Sequence, residues 1–155
     1  MEAAYGHYAY ACPVRQTAAL ASAGQEAPVF LYRWALNKTV QGGVNHGDQM
    51  PYETFSPDIR EISKSQEKIS GVLHAYFTSF NVTGNPNAFR GGYAHRPVWE
   101  AYDATREPGK KIMVFGEGND ERAGGKGVGV AAHMVDDEWS RRECEFWWTK
   151  SGISD

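Results

Sequence analysis

An α/β layered architecture is predicted by three observations. Short aromatic and aliphatic stretches alternate with a segment of helical period. Glycine and proline clusters separate them. The order along the chain reads strand, helix, strand, helix. The 155 residues suit a single domain over 1–155, with 1–8 and 151–155 expected to fray. Sixteen lysines and arginines against nineteen acids give a net charge of −3, which argues against a general nucleic-acid binder. No stretch approaches the ~20 apolar residues of a membrane span. The start, Met1-Glu2-Ala3-Ala4-Tyr5-Gly6-His7, lacks the basic and apolar regions of a signal peptide.

The first strand is read in Pro28–Leu36, a largely buried aromatic and aliphatic run, and the glycines and short polar residues of 41–48 make the loop after it. From Ser63 the period changes. Ile69, Val72, Leu73, Tyr76, Phe77 and Phe80 fall on one face of a helix. Ser63 and Gln66 offer a capping box, and Gly84 and Pro86 stop the helix. Lys111–Gly116 reads as a second short strand, and the six glycines of 116–129 as a mobile surface loop. A last helix is expected from Asp136, as N-cap, to Lys150, with Trp139, Glu143, Phe146, Trp147 and Lys150 on one face and Gly152 as its C-terminal cap. Two or three strands make a small sheet for this length, so the chain is expected to be part of a larger domain.

Of five histidines, none lies in a metal-ligand spacing, so no metal site is expected. The glycine run lacks the phosphate-loop and dinucleotide patterns, so no such cofactor is expected either. His74, His95 and His133 read as structural or exposed. His46 differs in placement. It follows a strand and sits among residues that permit tight turns, where an imidazole is accessible to act as general base. Cys12 and Cys144 lie too far apart in sequence for a CxxC motif, which leaves two buried thiols or one bridge between the chain's ends. Asn37-Lys38-Thr39 and Asn81-Val82-Thr83 are glycosylation sequons, each weak evidence of secretion.

Four segments, in order over residues 9–149, resemble the C-terminal part of the type-B carboxylesterases, which include the cholinesterases, of the α/β-hydrolase fold. Tyr10-Ala11-Cys12-Pro13 with Pro28–Trp34 is similar to that family's Cys-Pro helix and the strand before its catalytic histidine. Gly43-Val44-Asn45-His46-Gly47-Asp48-Gln49-Met50-Pro51-Tyr52 is similar to its histidine loop. Ala75–Asn87 resembles its aromatic helix ending in Thr-Gly-Asn-Pro-Asn. Pro97–Asp103 and Cys144-Glu145-Phe146-Trp147 resemble its closing Trp-Pro-x-Tyr and Cys-x-Phe-Trp segments.

The resemblance implies a partial α/β-hydrolase fold holding only the C-terminal strands and helices. It implies His46 as the acid/base of a serine triad, a Cys12–Cys144 bridge, an extracellular location and no cofactor. Gln49 stands where the family carries glutamate. The chain has no G-x-S-x-G, and in this fold the serine and acid precede the histidine. An ester would therefore be a substrate only if upstream sequence completed the site, and the chain alone is expected not to be an efficient esterase. Without the larger sheet, Val29–Leu36, the aromatic helix and the 146–148 Phe-Trp-Trp cluster would be exposed to a protein partner or to the missing N-terminal part. A non-catalytic cholinesterase-like interaction domain is the competing expectation.

Overall fold

The computed structural model describes residues 2–38, 44–89, 91–106, 110–121 and 129–150. Six α-helices are described: α1 (Glu2–Gly6), α2 (Cys12–Gly24), α3 (Met50–Glu53), α4 (Pro57–Arg60), α5 (Lys64–Thr83) and α6 (Arg141–Lys150). A π-helical turn, His7–Ala11, joins α1 to α2, and a 3-10 turn covers Gly91–Tyr93. Three strands, β1 (Tyr32–Trp34), β2 (Lys111–Phe115) and β3 (Ala132–Asp136), form one sheet in the order β1-β2-β3. β1 and β2 are parallel, with Tyr32 opposite Met113 and Trp34 opposite Phe115. β3 runs antiparallel to β2: the Gly116 N–H donates to Ala131 O, and the Asp137 N–H to Lys110 O. The result is a small mixed sheet with helices, consistent with a partial fold.

The chain divides into two compact units. One comprises Met1–Leu31, Glu100–Ile112 and Val135–Asp155, and the other Tyr32–Trp99 and Met113–Met134. In the first unit, Cys12 at the start of α2 is disulfide-bonded to Cys144 of α6, so the open choice between thiols and bridge resolves to a bridge. Beside it, the buried Arg15 guanidinium donates to Asp137 Oδ2 at 2.8 Å and to Trp139 O at 2.7 Å. The Tyr102 hydroxyl reaches the same carboxylate at 3.4 Å.

The second unit is organised by α5. Ser63 caps it, accepting the Gln66 N–H at 3.2 Å, while its hydroxyl donates to Gln66 Oε1. Gly84 ends it in the left-handed conformation, φ 72°, its N–H on Phe80 O. Ile69, Val72, Leu73 and Tyr76 are buried, but Phe77 is half-buried and Phe80 is exposed. Tyr76, Trp99 and Phe115 meet edge to face, with centroids 5.4–5.8 Å apart, a geometry worth roughly 0.5–1.5 kcal/mol per pair beyond burial. The Thr-Gly-Asn-Pro-Asn segment serves this core. The Asn87 amide donates to Trp99 O at 2.9 Å and accepts the Trp99 backbone N–H at 2.8 Å, holding the main chain of the residue whose indole packs on Tyr76 of α5.

Three elements differ from the sequence expectations. The strand expected over Pro28–Leu36 is confined to Tyr32–Trp34 and is half-buried. Pro28 has no N–H to contribute to a ladder, and Val29 instead forms a single antiparallel bridge with Tyr102. The last helix begins at Arg141, because Asp136 ends β3, where its carboxylate meets Lys111 Nζ at 2.7 Å. Trp139 thus precedes α6. Ala132–Asp136, adjacent to the glycine run, is a strand that the sequence reading did not assign. Residues 122–128 of that run, and Gly152, lie outside the described residues.

Candidate functional site

His46 lies in the turn Asn45–Gln49, directly before α3, with an exposed side chain. The turn is tied internally. The Asn45 N–H donates to Asp48 Oδ2 at 2.8 Å, and the Met50 N–H to Gly47 O at 3.0 Å. Gly47 supplies the positive φ, 86°, that reverses the chain immediately after the histidine.

Behind the turn is a cluster of charged and aromatic groups. Lys38 Nζ lies 3.3 Å from Asp48 Oδ1 and 3.2 Å from Glu121 Oε2. The Tyr52 hydroxyl donates to Glu121 Oε1 at 3.1 Å, and the Tyr52 ring packs on Trp34, 4.8 Å between centroids. Burial works to lower the Lys38 pKa, but hydrogen bonds and charges from Glu121 and Asp48 outweigh it and hold the ammonium above its ordinary range. Burial, then the Glu121 charge, drives the Tyr52 phenol far above its ordinary value, so it remains a donor. Lys38 follows β1 and Glu121 follows β2, so the two strands fix both anchors of the histidine turn. The Glu121 N–H also donates to Asn37 O at 2.9 Å.

Gln49 precedes α3 and hydrogen-bonds the Glu53 carboxylate. Burial nevertheless dominates at Glu53 and raises its pKa. The Tyr32 phenol, desolvated and facing Glu53, is pushed up to about 12. The His74 imidazole Nδ1 contacts Glu53 O at 2.7 Å, and its ring stacks on Phe55. His74 is half-buried at the edge of the core, as the sequence indicated. His133 meets Glu117 at 2.8 Å, and Arg33 meets the other oxygen of the same carboxylate at 2.5 Å. His95 is exposed in the turn after Tyr93. Among the described residues, no group of three histidine, cysteine or acidic side chains is placed to hold a metal ion. The side chains of Asn37 and Asn81 both lie on exposed residues, Asn81 in the last turn of α5.

The sequence located the histidine turn but not its supports. Lys38 and Glu121 carry no motif, and 83 positions separate them, so only the parallel pairing of β1 with β2 brings them together. Ser140 and His7 were missed because they too are distant in sequence and carry no motif. They are hydrogen-bonded at 2.8 Å across a sequence separation of 133.

A carboxylesterase family model matches residues 1–147. The chain belongs to the carboxylesterase family. It is 33% identical over 116 residues to secreted lipase 4 of Gibberella zeae, an alignment covering 74% of this chain and 19% of that protein. Its structure is similar to the crystal structure of the Geobacillus stearothermophilus carboxylesterase EST55, with TM-score 0.64 and 25% identity over 92% of this chain and 26% of that one. The chain therefore spans about a fifth to a quarter of the length of these relatives. No helix among the described residues is long and apolar enough to cross a membrane.

Proposed function

We propose that this chain is the histidine-bearing C-terminal portion of a type-B, cholinesterase-like serine carboxylesterase, with His46 as the general acid/base. The observation that carries the reading is the exposed His46 on a turn anchored from both parallel strands, in a chain of the carboxylesterase family. The serine and the triad acid come from sequence outside this chain. In the acylation step, a serine hydroxyl adds to the ester carbonyl and the His46 imidazole takes its proton. The imidazole then returns that proton to the departing alcohol, and water repeats the cycle on the acyl-enzyme. This chemistry needs no metal or organic cofactor.

Alone, the chain turns over esters poorly, because the imidazole has no nucleophile of that site to activate. A carboxylic ester is the substrate class. The secreted relative, the Cys12–Cys144 bridge and the exposed Asn37 and Asn81 sequons support an extracellular glycoprotein. The exposed Tyr5, Tyr8, Tyr10 and Phe146 of the first unit favour a second reading, a non-catalytic interaction domain. Under that reading, His46→Ala leaves partner binding unchanged.

A full-length read of the transcript through the 5′ side of the Met1 codon tests the first reading. It predicts an in-frame G-x-S-x-G upstream, with an acidic residue between it and His46. A stop codon shortly upstream, with Met1 as the start, would overturn it and leave the interaction reading.

A further inference from the structure

The first unit holds a second pair of groups with nucleophile-and-base chemistry, independent of His46. The Ser140 hydroxyl and His7 Nε2 are 2.8 Å apart, within the range of a serine activated by an imidazole. Ser140 occupies the turn between β3 and α6 with φ 55°, the left-handed region that a non-glycine residue seldom adopts. Such backbone strain persists only where surrounding structure enforces it.

Here the enforcement is visible. The disulfide joins Cys12, five residues after His7, to Cys144, four after Ser140. Arg15 grips Asp137 and Trp139 O on the approach to Ser140. The Trp139 ring stands edge-on to the His7 imidazole, 5.9 Å between centroids. Both members of the pair are only half-buried, so reagents reach them. His7 also edges an open cleft of about 570 Å³ whose wall includes Phe146 and Trp147, an apolar surface for an acyl or aryl group. The Cys144 N–H on Ser140 O is a helical bond at the start of α6, so the Arg142 and Glu143 N–H groups belong to the helix's first turn.

We propose that Ser140 and His7 form a hydrolytic dyad that acts on activated esters, such as aryl esters of short acids. With the imidazole proton on Nδ1, the Ser140 hydroxyl donates to Nε2. As the Oγ–carbonyl carbon bond forms, that proton passes to Nε2. When the carbon–oxygen bond to the aryl group breaks, the same proton leaves with the phenol. Water then releases the acid from Ser140 by the reverse exchange. Among the described residues no carboxylate is hydrogen-bonded to the His7 imidazole, so the pair is slow.

The test uses the full oxidised chain and a fluorophosphonate probe, which forms an oxygen–phosphorus bond at a nucleophilic serine with loss of fluoride and a proton. Peptide mapping is predicted to place the adduct on Ser140. Labelling is lost in Ser140→Ala and falls at least tenfold in His7→Gln, with the disulfide intact in both. Reducing the disulfide and unfolding the wild-type chain in urea before exposure should abolish labelling of Ser140, a readout that does not depend on either variant folding. An unlabelled Ser140 after prolonged exposure would overturn the proposal, as would equal labelling of the unfolded chain, or a rate indifferent to His7→Gln in a folded variant.

Discussion

Removing the Cys12–Cys144 bridge is the perturbation with the largest expected effect on stability. The half-cystines are 132 residues apart, so the bridge closes nearly the whole chain. In the chain-entropy treatment, a loop of that length removes about 5 kcal/mol of freedom from the unfolded ensemble. Both residues are buried at 1% exposure or less, so replacement by alanine adds a packing loss to the lost cross-link. A domain's entire stability is about 5–15 kcal/mol, so the Cys12→Ala/Cys144→Ala variant should lie at the edge of folding. With a urea dependence of about 1–3 kcal/mol per molar, the loss moves the unfolding midpoint down by roughly 2–5 M. Urea titration of the oxidised chain and the double variant, followed by circular dichroism, reads this directly. Intact mass after alkylation without reductant should show no label on the wild-type cysteines. A midpoint shift below about 0.5 M would show that the bridge contributes little, and two alkyl groups on the wild type would show that it is not formed.

Three further outcomes follow from the packing and charge. Asp137→Ala strands the buried Arg15 guanidinium and should cost about 3–5 kcal/mol by denaturant unfolding; a cost under about 1 kcal/mol would contradict the buried pairing. Leu73→Ala empties a fully buried position on α5 and should cost about 2–5 kcal/mol, whereas the exposed Phe80→Ala on the same helix should cost far less; equal costs would mean the helix face is misassigned. The Tyr32 phenol, raised from 10.0 to about 12, keeps its proton longer in the folded state. Its contribution is therefore complete below pH about 10 and is lost as pH rises from there through about 12. Tyr32→Phe should flatten that part of the stability–pH curve, and an unchanged slope would rule Tyr32 out as its source.

The parts of the fold written in local chemistry were legible in the sequence. α5 is marked by a period of 3.6, a serine cap that accepts Gln66 N–H, and a glycine that takes φ 72°. The His46 turn is marked by its glycine and short polar residues, and the structure forms it at that position. What was not legible depends on distant partners. Asp136 has the chemistry of an N-cap, yet β3 claims its backbone and Lys111 its carboxylate. Asp137 is bound to Arg15, 122 residues away. Phe80 fits the apolar period of α5 but ends exposed in this chain. β3 is five residues long and adjoins a glycine run, so its alternation offers too few positions to distinguish it from a loop. The support of His46 by Lys38 and Glu121 arises only once β1 and β2 pair.

His46 is proposed as the acid/base of an ester-hydrolysing triad completed from outside this chain. Its most direct test mixes this chain with a separately folded upstream fragment carrying G-x-S-x-G, and follows hydrolysis of a 4-nitrophenyl ester. The pair should turn over the ester at a rate that neither part shows alone, and His46→Ala should reduce that rate at least a thousandfold. Undiminished turnover by the pair carrying His46→Ala, or none from the two folded parts together, would contradict it.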